Sequence, residues 1–427
     1  GWGLDSIRVP VQNEERRIED CCDDASDDSA HLTSGLEGLS LFLVEAYTED
    51  EEGHRSRLAT VERIEEKIGH HASATVMVRF DRTPAQLIGE RGQGFALMLK
   101  LMNNARVAVG FEALGMCESA HRMARAYAAQ RCSMGKSIAQ HELIADLLDG
   151  METDIHAIRA LAMKAAWHTE MATRLKMKAR YLCENGSAEQ QRALEEGRLE
   201  LKRARRLTPL LKYYASERAV EMTRECLQIH GGFGFTREYG AEKLLRDSLV
   251  LPIYEGTSQI QALMATKDTL LDITRDPARF IRRLGDAWRR SMLGFSSLER
   301  RVAGLQFRSL KAQRALIMRL TRAKMASRRA SEQTLKEAFR HWDPKQDFAP
   351  ALLHAENLTR MLADLAMAES LLEQVRVHPE REGLLSRHLE RAEPRSHDLL
   401  YRIQHTGDRL LRQLKGLPLE SEESKPD

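Results

Sequence analysis

The sequence predicts a mainly α protein with a small β region near its start, and three observations support this fold class. Ala, Leu, Glu, Arg and Met are plentiful, while aromatic residues make up only 5% of the 427 residues, a composition that favours helix. Apolar residues recur at spacings of three and four throughout the part of the chain that follows Phe95. Before Phe95, short apolar and alternating runs indicate strands instead.

Composition and charge narrow the classes of function. A hydrophobic content of 42% and a charged content of 30% are those of an ordinary soluble protein, and a net charge of +2 argues against a dedicated nucleic-acid binder. We find no apolar run of the ~18 residues that a membrane span needs, and we expect no secretory leader. The six cysteines show neither a disulfide framework nor zinc spacing. We therefore expect reduced thiols, a cytoplasmic protein and no metal site.

The two ends of the chain lack any periodic pattern. Residues 1–36 carry an acidic cluster around Cys21 and Cys22 without apolar periodicity, which predicts an irregular or disordered lead-in. A metal site of paired Cys and Asp is the less favoured interpretation of that cluster. Residues 421–427 are polar and are predicted to form a disordered tail.

Residues 37–95 are predicted to form a small, partial β domain. Leu39 to Ala46 is an apolar run of strand length, and Thr75 to Phe80 alternates, with Val76, Val78 and Phe80 on one face. The glycines between residues 89 and 94 fit neither the dinucleotide fingerprint nor a phosphate-binding loop. They are predicted to form a turn that leads into a helix.

Residues 96–275 are predicted to form a four-helix-type bundle. Two apolar stripes have the spacing of a bundle core. The first consists of Ile144, Leu148, Met151, Ile155, Ile158, Ala162 and Ala165, and the second of Leu211, Ala215, Ala219, Met222, Cys226 and Ile229. Residues 174–207 are charged and poor in apolar spacing, which predicts a long, solvated helical insertion.

A further helical domain is predicted over residues 280–420, past Asp276 and Pro277. Its core stripe is formed by Leu358, Met361, Leu365, Leu372 and Val375. The segment 281–329 is rich in Arg and Lys. The favoured interpretation is a solvated helix face, while an anionic membrane surface or nucleic acid is the alternative partner.

One short segment, residues 253–261, contains the candidate catalytic residue. Glu255 stands between the ring of Tyr254 and Gly256, just before a polar run that enters a helical pattern. A carboxylate so placed can act as a base. The alternative from the residues alone is an ordinary acid in the first turn of a helix, where the macrodipole favours it.

Several motifs resemble those of the acyl-CoA dehydrogenases, in that family's order, over about residues 39–275. They are Asn104-Ala105-Arg106-Val107, Arg131-Cys132-Ser133-Met134-Gly135-Lys136, Gln228 through Phe235, and Tyr254-Glu255-Gly256-Thr257-Ser258-Gln259-Ile260-Gln261. The closer match is the long form of the family, which has an extra C-terminal helical domain. The family's first helical domain and part of its middle β domain have no counterpart in these residues.

The resemblance implies a role for each matching residue. Glu255 would remove the α-proton of an acyl-CoA, and Ala105 stands where some members carry the base instead. FAD would be held by Arg131, Ser133, Gln228, Gly231, Gly232, Thr257 and Gln259, and the substrate by Arg106, Tyr254 and Gly256. A guanidinium with a nearby hydroxyl also suits a pyrophosphate on chemical grounds, and paired glycines permit close backbone approach.

The resemblance further implies a reaction and its partners. The product would be a trans-2-enoyl-CoA, and an electron-transferring flavoprotein would accept the electrons. Arg131 would reach the cofactor of a neighbouring subunit, so a homodimer or homotetramer is expected. The alternatives are a noncatalytic homologue that keeps the bundle for assembly, and a family member that binds DNA or membranes through its basic surface.

Overall fold

The structure, a computed structural model, describes three ranges of the chain: 16–17, 38–329 and 348–414. The chain forms two compact units, of which the first reaches Asn103 and the second starts at Asn104. Apart from residues 16–17, the predicted irregular lead-in with its acidic cluster lies outside the described residues. So does the predicted tail at 421–427.

The first unit contains short antiparallel strands. Within its described residues these are β1 (Arg16–Arg17), β2 (Leu41–Leu43), β3 (Tyr47–Glu49), β4 (Arg55–Arg57), β5 (Ala59–Ile64), β6 (Val76–Phe80) and β7 (Pro84–Ile88). Strands β1, β7 and β2 form one sheet in that order, with Leu41 opposite Ile88. Strands β3 and β4 form one pair, and β5 and β6 form another that contains a bulge between Val61 and Arg63.

The predicted β region is confirmed in outline. The alternating run gives β6, but the apolar run from Leu39 gives a strand of only three residues. Val78 and Phe80 are exposed, so their shared face is not buried as the alternation suggested. A two-stranded ribbon offers its side chains little to pack against. The predicted turn into a helix is present, and a Cβ on Gly94 would lie 2.5 Å from the Ser40 carbonyl carbon.

The remaining elements are mostly helices. They are α1 (Gly94–Gln130), α2 (Glu142–Tyr181), α3 (Ala188–Ile229), α4 (Ala241–Ser248), α5 (Ser258–Arg275), α6 (Pro277–Leu293), α7 (Ser297–Arg329), α8 (Ala349–Leu352), α9 (Ala355–Val377), α10 (Glu382–His405) and α11 (Asp408–Leu414). A small hairpin of β8 (Cys132–Ser133) and β9 (Lys136–Ser137) follows α1. Short 3₁₀ segments lie at Ile138–Gln140, Gly231–Phe235, Arg237–Tyr239 and Pro379–Arg381.

The bundle core forms where the two apolar stripes predict it. On α2 the stripe is buried from Met151 onward, and on α3 it is buried throughout. Helices α1 and α3 approach each other closely at Gly110, where a Cβ would lie only 2.6 Å from Leu211 Cγ. The predicted solvated insertion is a helical hairpin, formed by the end of α2 and the start of α3, whose turn is closed by Ser187 capping α3.

The C-terminal helices share this core. Helix α6 begins at Pro277 with Asp276 as its N-cap, in agreement with the boundary that these two residues predicted. The stripe on α9 is buried except for Leu372, which is half-buried, and it belongs to the same continuous apolar cluster as the bundle. In the described ranges, every helix is too short or too polar to cross a membrane.

Candidate active site

The turn that precedes α5 has an unusual backbone at two successive residues. Glu255 adopts φ = 54° and Gly256 adopts φ = 94°, both in the left-handed region. Glycine enters this region without strain, whereas a residue with a Cβ pays about 1–2 kcal/mol. A non-glycine residue held there marks a place where the surrounding fold dictates the direction of a side chain, as it does in many active sites.

Three buried side chains hold this turn through its carbonyl groups. Arg106 Nε donates to the Glu255 carbonyl oxygen over 3.0 Å, and the Gln261 side-chain amide donates to the same oxygen over 3.2 Å. Lys212 Nζ donates to the Gly256 carbonyl oxygen over 2.8 Å. All three residues are at most 3% exposed. Since these donors contact backbone rather than side chain, they fix the direction in which the Glu255 side chain leaves the turn.

The Glu255 carboxylate itself is left open to a proton. Its Oε2 atom is buried and has no hydrogen-bond partner among the residues that the structure describes. A carboxylate oxygen in this state has lost water without gaining a donor, which is costly. Such an oxygen can accept a proton from a molecule bound beside it, so the geometry suits a general base.

Two cations lie beneath the turn that carries this carboxylate. Burial lowers the pKa of Lys212 to about 8. The negative charges of Glu217 and Glu255 raise this pKa in part, while the positive charge of Arg106 lowers it further. Burial also lowers the pKa of Arg106, against the attraction of Glu255. The backbone of the turn is therefore in contact with two buried, positively charged side chains, Arg106 and Lys212.

The ring of Tyr254 is fixed on the other side of the turn. Its hydroxyl donates to Glu112 Oε2 on α1. Burial raises the pKa of the Tyr254 phenol, and the bond to Glu112 adds to this effect. Glu112 also lines a hollow of about 550 Å³ along α1, together with Phe111, Leu114, Gly115, Met116, Glu118, Ser119 and Arg122. Tyr254 and this hollow are thus neighbours.

A second cluster forms where the end of α1 meets the segment after α3. The Arg131 guanidinium lies 5.9 Å from the centroid of the Phe233 ring, and the Tyr127 and His230 rings stack at 4.3 Å. His230 is 3% exposed and its Nδ1 contacts the Cys226 carbonyl oxygen at 2.7 Å, so its ring is used inside the fold. The structure therefore brings Arg131 and the glycine segment together.

The chemistry of this second cluster fits an anionic group such as a pyrophosphate. Arg131, Ser133 and Gln228 are exposed, and in the described part of the chain no acid pairs with Arg131. Gly231 and Gly232 have no atom within 4 Å of where a Cβ would lie, so their backbone is open to a ligand. A guanidinium, a hydroxyl and bare backbone amides are the donors that phosphate oxygens accept from.

The two other predicted cofactor residues are already engaged in the turn region. Thr257 is the N-cap of α5, and its hydroxyl accepts from the Ile260 amide at 3.3 Å. Gln259 donates from its side-chain amide to Glu356 Oε1 on α9 over 2.7 Å. Their remaining hydrogen-bonding capacity is the Thr257 hydroxyl proton and the Gln259 amide atoms that Glu356 leaves unused.

Sequence reasoning missed Lys212, Gln261 as a donor to the turn, and Glu112. One signal was available for Lys212, since it stands in the otherwise apolar run Pro209–Ala215, and a lysine on a core stripe is rare. Gln261 reaches back to the turn from the start of α5, a local contact, whereas Glu112 meets Tyr254 only through the tertiary fold. Among the described residues, His, Cys, Asp and Glu side chains form no group of three or more that could hold a metal ion.

Comparison with known proteins identifies the central part of the chain. The model of the acyl-CoA dehydrogenase C-terminal domain matches residues 92–183 and 169–270. The 3-methylmercaptopropionyl-CoA dehydrogenase of Ruegeria pomeroyi is 33% identical over 285 residues, which is 62% of this chain and 45% of that protein. The acyl-CoA dehydrogenase of Bacillus subtilis is 32% identical over 237 residues, covering 55% of this chain and 52% of that protein.

Solved structures show the same fold over more of the chain. The acyl-CoA dehydrogenase of Bacillus anthracis complexed with FAD matches with a TM-score of 0.61 at 18% identity, covering 90% of this chain and 64% of that one. The fold match thus extends past the domain that the family model covers. The chain spans about half the length of the curated relatives it matches. The motifs, the domain match and the fold agree, so residues 92–270 of this chain belong to the acyl-CoA dehydrogenase family as its C-terminal domain.

Proposed function

We propose that this chain carries the catalytic base and part of the cofactor site of an FAD-dependent acyl-CoA dehydrogenase. The reaction takes one hydrogen from the α-carbon and one from the β-carbon of an acyl-CoA thioester and leaves a trans-2-enoyl-CoA. The observation that carries the proposal is the Glu255 side chain, which leaves a left-handed backbone position and holds a buried carboxylate oxygen without a partner among the described residues.

In this proposal Glu255 Oε2 accepts the α-proton. The thioester carbonyl makes that proton acidic, and the electron pair of the broken C–H bond forms the new C=C bond as a hydride leaves the β-carbon. FAD, when bound, supplies the acceptor for that hydride. The Tyr254 ring, fixed by Glu112, and the Gly256 backbone would border the reacting carbons. Arg106 would act through the turn, because its Nε donates to the Glu255 carbonyl oxygen.

The proposed cofactor residues are those of the second cluster, with additions from the turn. Arg131 and Ser133 would bind the pyrophosphate, and Gln228, Gly231 and Gly232 would offer an amide and open backbone. Thr257 and Gln259 complete the set through the atoms that Ile260 and Glu356 do not use. What supports this set is the exposed guanidinium of Arg131 beside Phe233.

The substrate class that we propose is a CoA thioester, without a choice of acyl group. The relatives support this breadth, since one is named for 3-methylmercaptopropionyl-CoA, one for cyclohexane-1-carbonyl-CoA and one for short-chain acyl-CoA. These acyl groups differ in size and shape but share the thioester whose α-proton Glu255 would remove.

The partners and compartment are also proposals. An electron-transferring flavoprotein is the proposed electron acceptor, and the cytoplasm is the proposed location. A homodimer or homotetramer is proposed because Arg131 would serve the cofactor of a neighbouring subunit. Met134 and Phe235, close to Arg131 and Phe233 in the sequence, are 92% and 84% exposed, as residues that a second subunit covers would be. Light scattering that shows a monomer would contradict the shared site.

The test is an absorbance spectrum of the purified chain after incubation with FAD and desalting, followed by anaerobic addition of a panel of acyl-CoAs. We expect a retained flavin band that bleaches with at least one member of the panel, which would also name the substrate class. Arg131→Met should weaken flavin retention. Arg180→Met is the matched control, because Arg180 is likewise exposed and lies 5.2 Å from the centroid of the Tyr181 ring, away from the proposed site. A colourless wild-type chain would favour the noncatalytic alternative.

A further inference from the structure

Lys212 is a buried lysine whose place in the core needs a reason. It lies in the apolar run Pro209–Ala215 of α3 and is 0% exposed. Burying an ammonium group removes the water that stabilises its charge, so fully buried lysines are rare unless they are paired. Here the hydrogen bond of Nζ goes to a neutral acceptor, the Gly256 carbonyl oxygen, at 2.8 Å. Glu217, the acid of the same helix that attracts Lys212, accepts a hydrogen bond from the Ser258 hydroxyl.

The contact that Lys212 Nζ makes with the turn gives a reason for burying this ammonium group. Arg106 and Gln261 donate to the Glu255 carbonyl. Lys212 donates to the carbonyl of the next residue over 2.8 Å, a shorter contact than the 3.3 Å from the Gln261 amide to the same oxygen. Gly256 can adopt a wider range of backbone dihedrals than the other residues of the turn, because it lacks a Cβ. Fixing the carbonyl on each side of its Cα sets its two backbone dihedrals. The direction of the Glu255 side chain then depends on Lys212 as well as on Arg106.

We propose that Lys212 is a positioning residue for the base: its ammonium group holds the Gly256 carbonyl, and so keeps Glu255 in its left-handed conformation, while it places a positive charge beneath the carboxylate. The functional part of this inference rests on the proposed role of Glu255. The positional part rests on the contacts alone. A core lysine with a purely structural role would support α3 and its neighbours equally and would have no particular effect on the turn.

Hydrogen exchange of the turn tests the positional part without any need for activity. The amides of Tyr254 and Ser258 donate to Val250 and Pro252 inside the turn, so their exchange reports its order. We expect Lys212→Met, which keeps the length of the side chain but removes the donor and the charge, to speed exchange of peptide 250–261 about tenfold. Lys212→Arg should restore slow exchange, because it returns both the donor and the charge.

Two references make this result specific to the turn. Lys202→Met is the matched control variant, since Lys202 lies on the same helix but is exposed and pairs with Asp272 at 3.3 Å. In this variant, peptide 250–261 should exchange at the wild-type rate. Peptide 155–165 of α2 should exchange equally in all variants. Unchanged exchange of 250–261 in Lys212→Met would overturn the proposal, as would a uniform increase across 250–261 and 155–165.

Turnover tests the functional part. At equal flavin content, Lys212→Met should lower kcat about tenfold and change KM less than twofold, because it displaces the base rather than the binding surface. Equal loss in Lys202→Met would contradict a specific role. If the wild-type chain shows no turnover with any acyl-CoA while exchange of 250–261 still depends on Lys212, the proposed enzyme function fails and the positioning role stands.

Discussion

At the scale of single residues, the site depends on a backbone conformation that only a few residue types tolerate. The sequence predicted Glu255 as the base because its neighbours resemble a motif of the family, and the structure adds the physical reason for the Gly256 beside it. The place of Lys212 in an apolar run marks it as unusual, but its contact with the turn could not be predicted, because it comes from another helix and forms only when the bundle closes. Gln261 is near the turn in the sequence, and its contact depends on the left-handed backbone of Glu255 and Gly256, which no sequence pattern indicated.

Gly256→Ala is expected to disrupt the turn. A Cβ there would lie 2.8 Å from Gln261 Nε2, and φ = 94° is unfavourable for alanine. We expect a loss of about 2–4 kcal/mol in the free energy of unfolding, measured by urea denaturation, and loss of turnover. Gly186→Ala is the control, since Gly186 has φ = 79° but nothing within 4 Å of its Cβ position. It should show only the smaller cost of the backbone strain, and an equal loss in both variants would contradict the packing argument.

Lys212 should give stability a particular pH dependence. Its folded-state pKa of about 8 lies below its ordinary value of 10.5. Between these two pH values the unfolded chain binds more protons, so the free energy of unfolding rises with pH in this window. The burial penalty is fully present below pH 8 and is gone above pH 10.5; it amounts to about 3 kcal/mol.

The measurement is urea denaturation of wild type and Lys212→Met from pH 7 to pH 10.5. Other groups titrate equally in both proteins, so the difference between the two free energies isolates Lys212 and its interactions with Glu217, Arg106 and Glu255. As pH rises, we expect the free energy of unfolding of the wild type to increase relative to that of Lys212→Met. A difference that stays constant across the window would show that Lys212 is not a buried charge.

At the scale of helices and strands, periodicity was a good guide wherever an element buries one face. The stripes on α2, α3 and α9 predicted buried residues, because a bundle helix must cover its apolar side. The same logic failed for β6, whose partner strand forms only a two-stranded ribbon. What periodicity could not reveal is how charged residues tie the helices together inside the core.

The pairing of α9 with α10 provides a test of that point. Arg395 donates to both oxygens of Asp364 at 2.8 and 2.7 Å, and it also donates to the Tyr214 hydroxyl of α3 at 3.2 Å. Asp364 is 1% exposed. Asp364→Ala should therefore lower the free energy of unfolding by about 3 kcal/mol, because it leaves the partly buried Arg395 guanidinium without its carboxylate partner.

Two companion variants sharpen this prediction. Replacing both partners, as Asp364→Leu with Arg395→Met, should cost less than Asp364→Ala alone, since no unpaired charge remains. Arg402→Ala breaks the exposed pair with Asp398 on the same helix and should cost under about 1 kcal/mol. Equal effects of Asp364→Ala and Arg402→Ala would show that the buried pair is no stronger than a surface pair.

At the scale of the whole molecule, the C-terminal helices reach the site that the family motifs define. Glu356 of α9 accepts a hydrogen bond from Gln259 in the first turn of α5. The sequence predicted these helices as a separate domain, but it could not show that one of their acids meets a proposed cofactor residue. Long-range contacts of this kind arise from packing, and no local pattern encodes them.

The measurement that tests the central claim most directly compares wild type with Glu255→Gln at equal flavin content. The amide of glutamine has nearly the shape of the carboxylate but cannot take a proton. We expect Glu255→Gln to retain FAD as the wild type does and to form at least a thousandfold less trans-2-enoyl-CoA. Product formation by Glu255→Gln at the wild-type rate would show that another group is the base and would contradict the account.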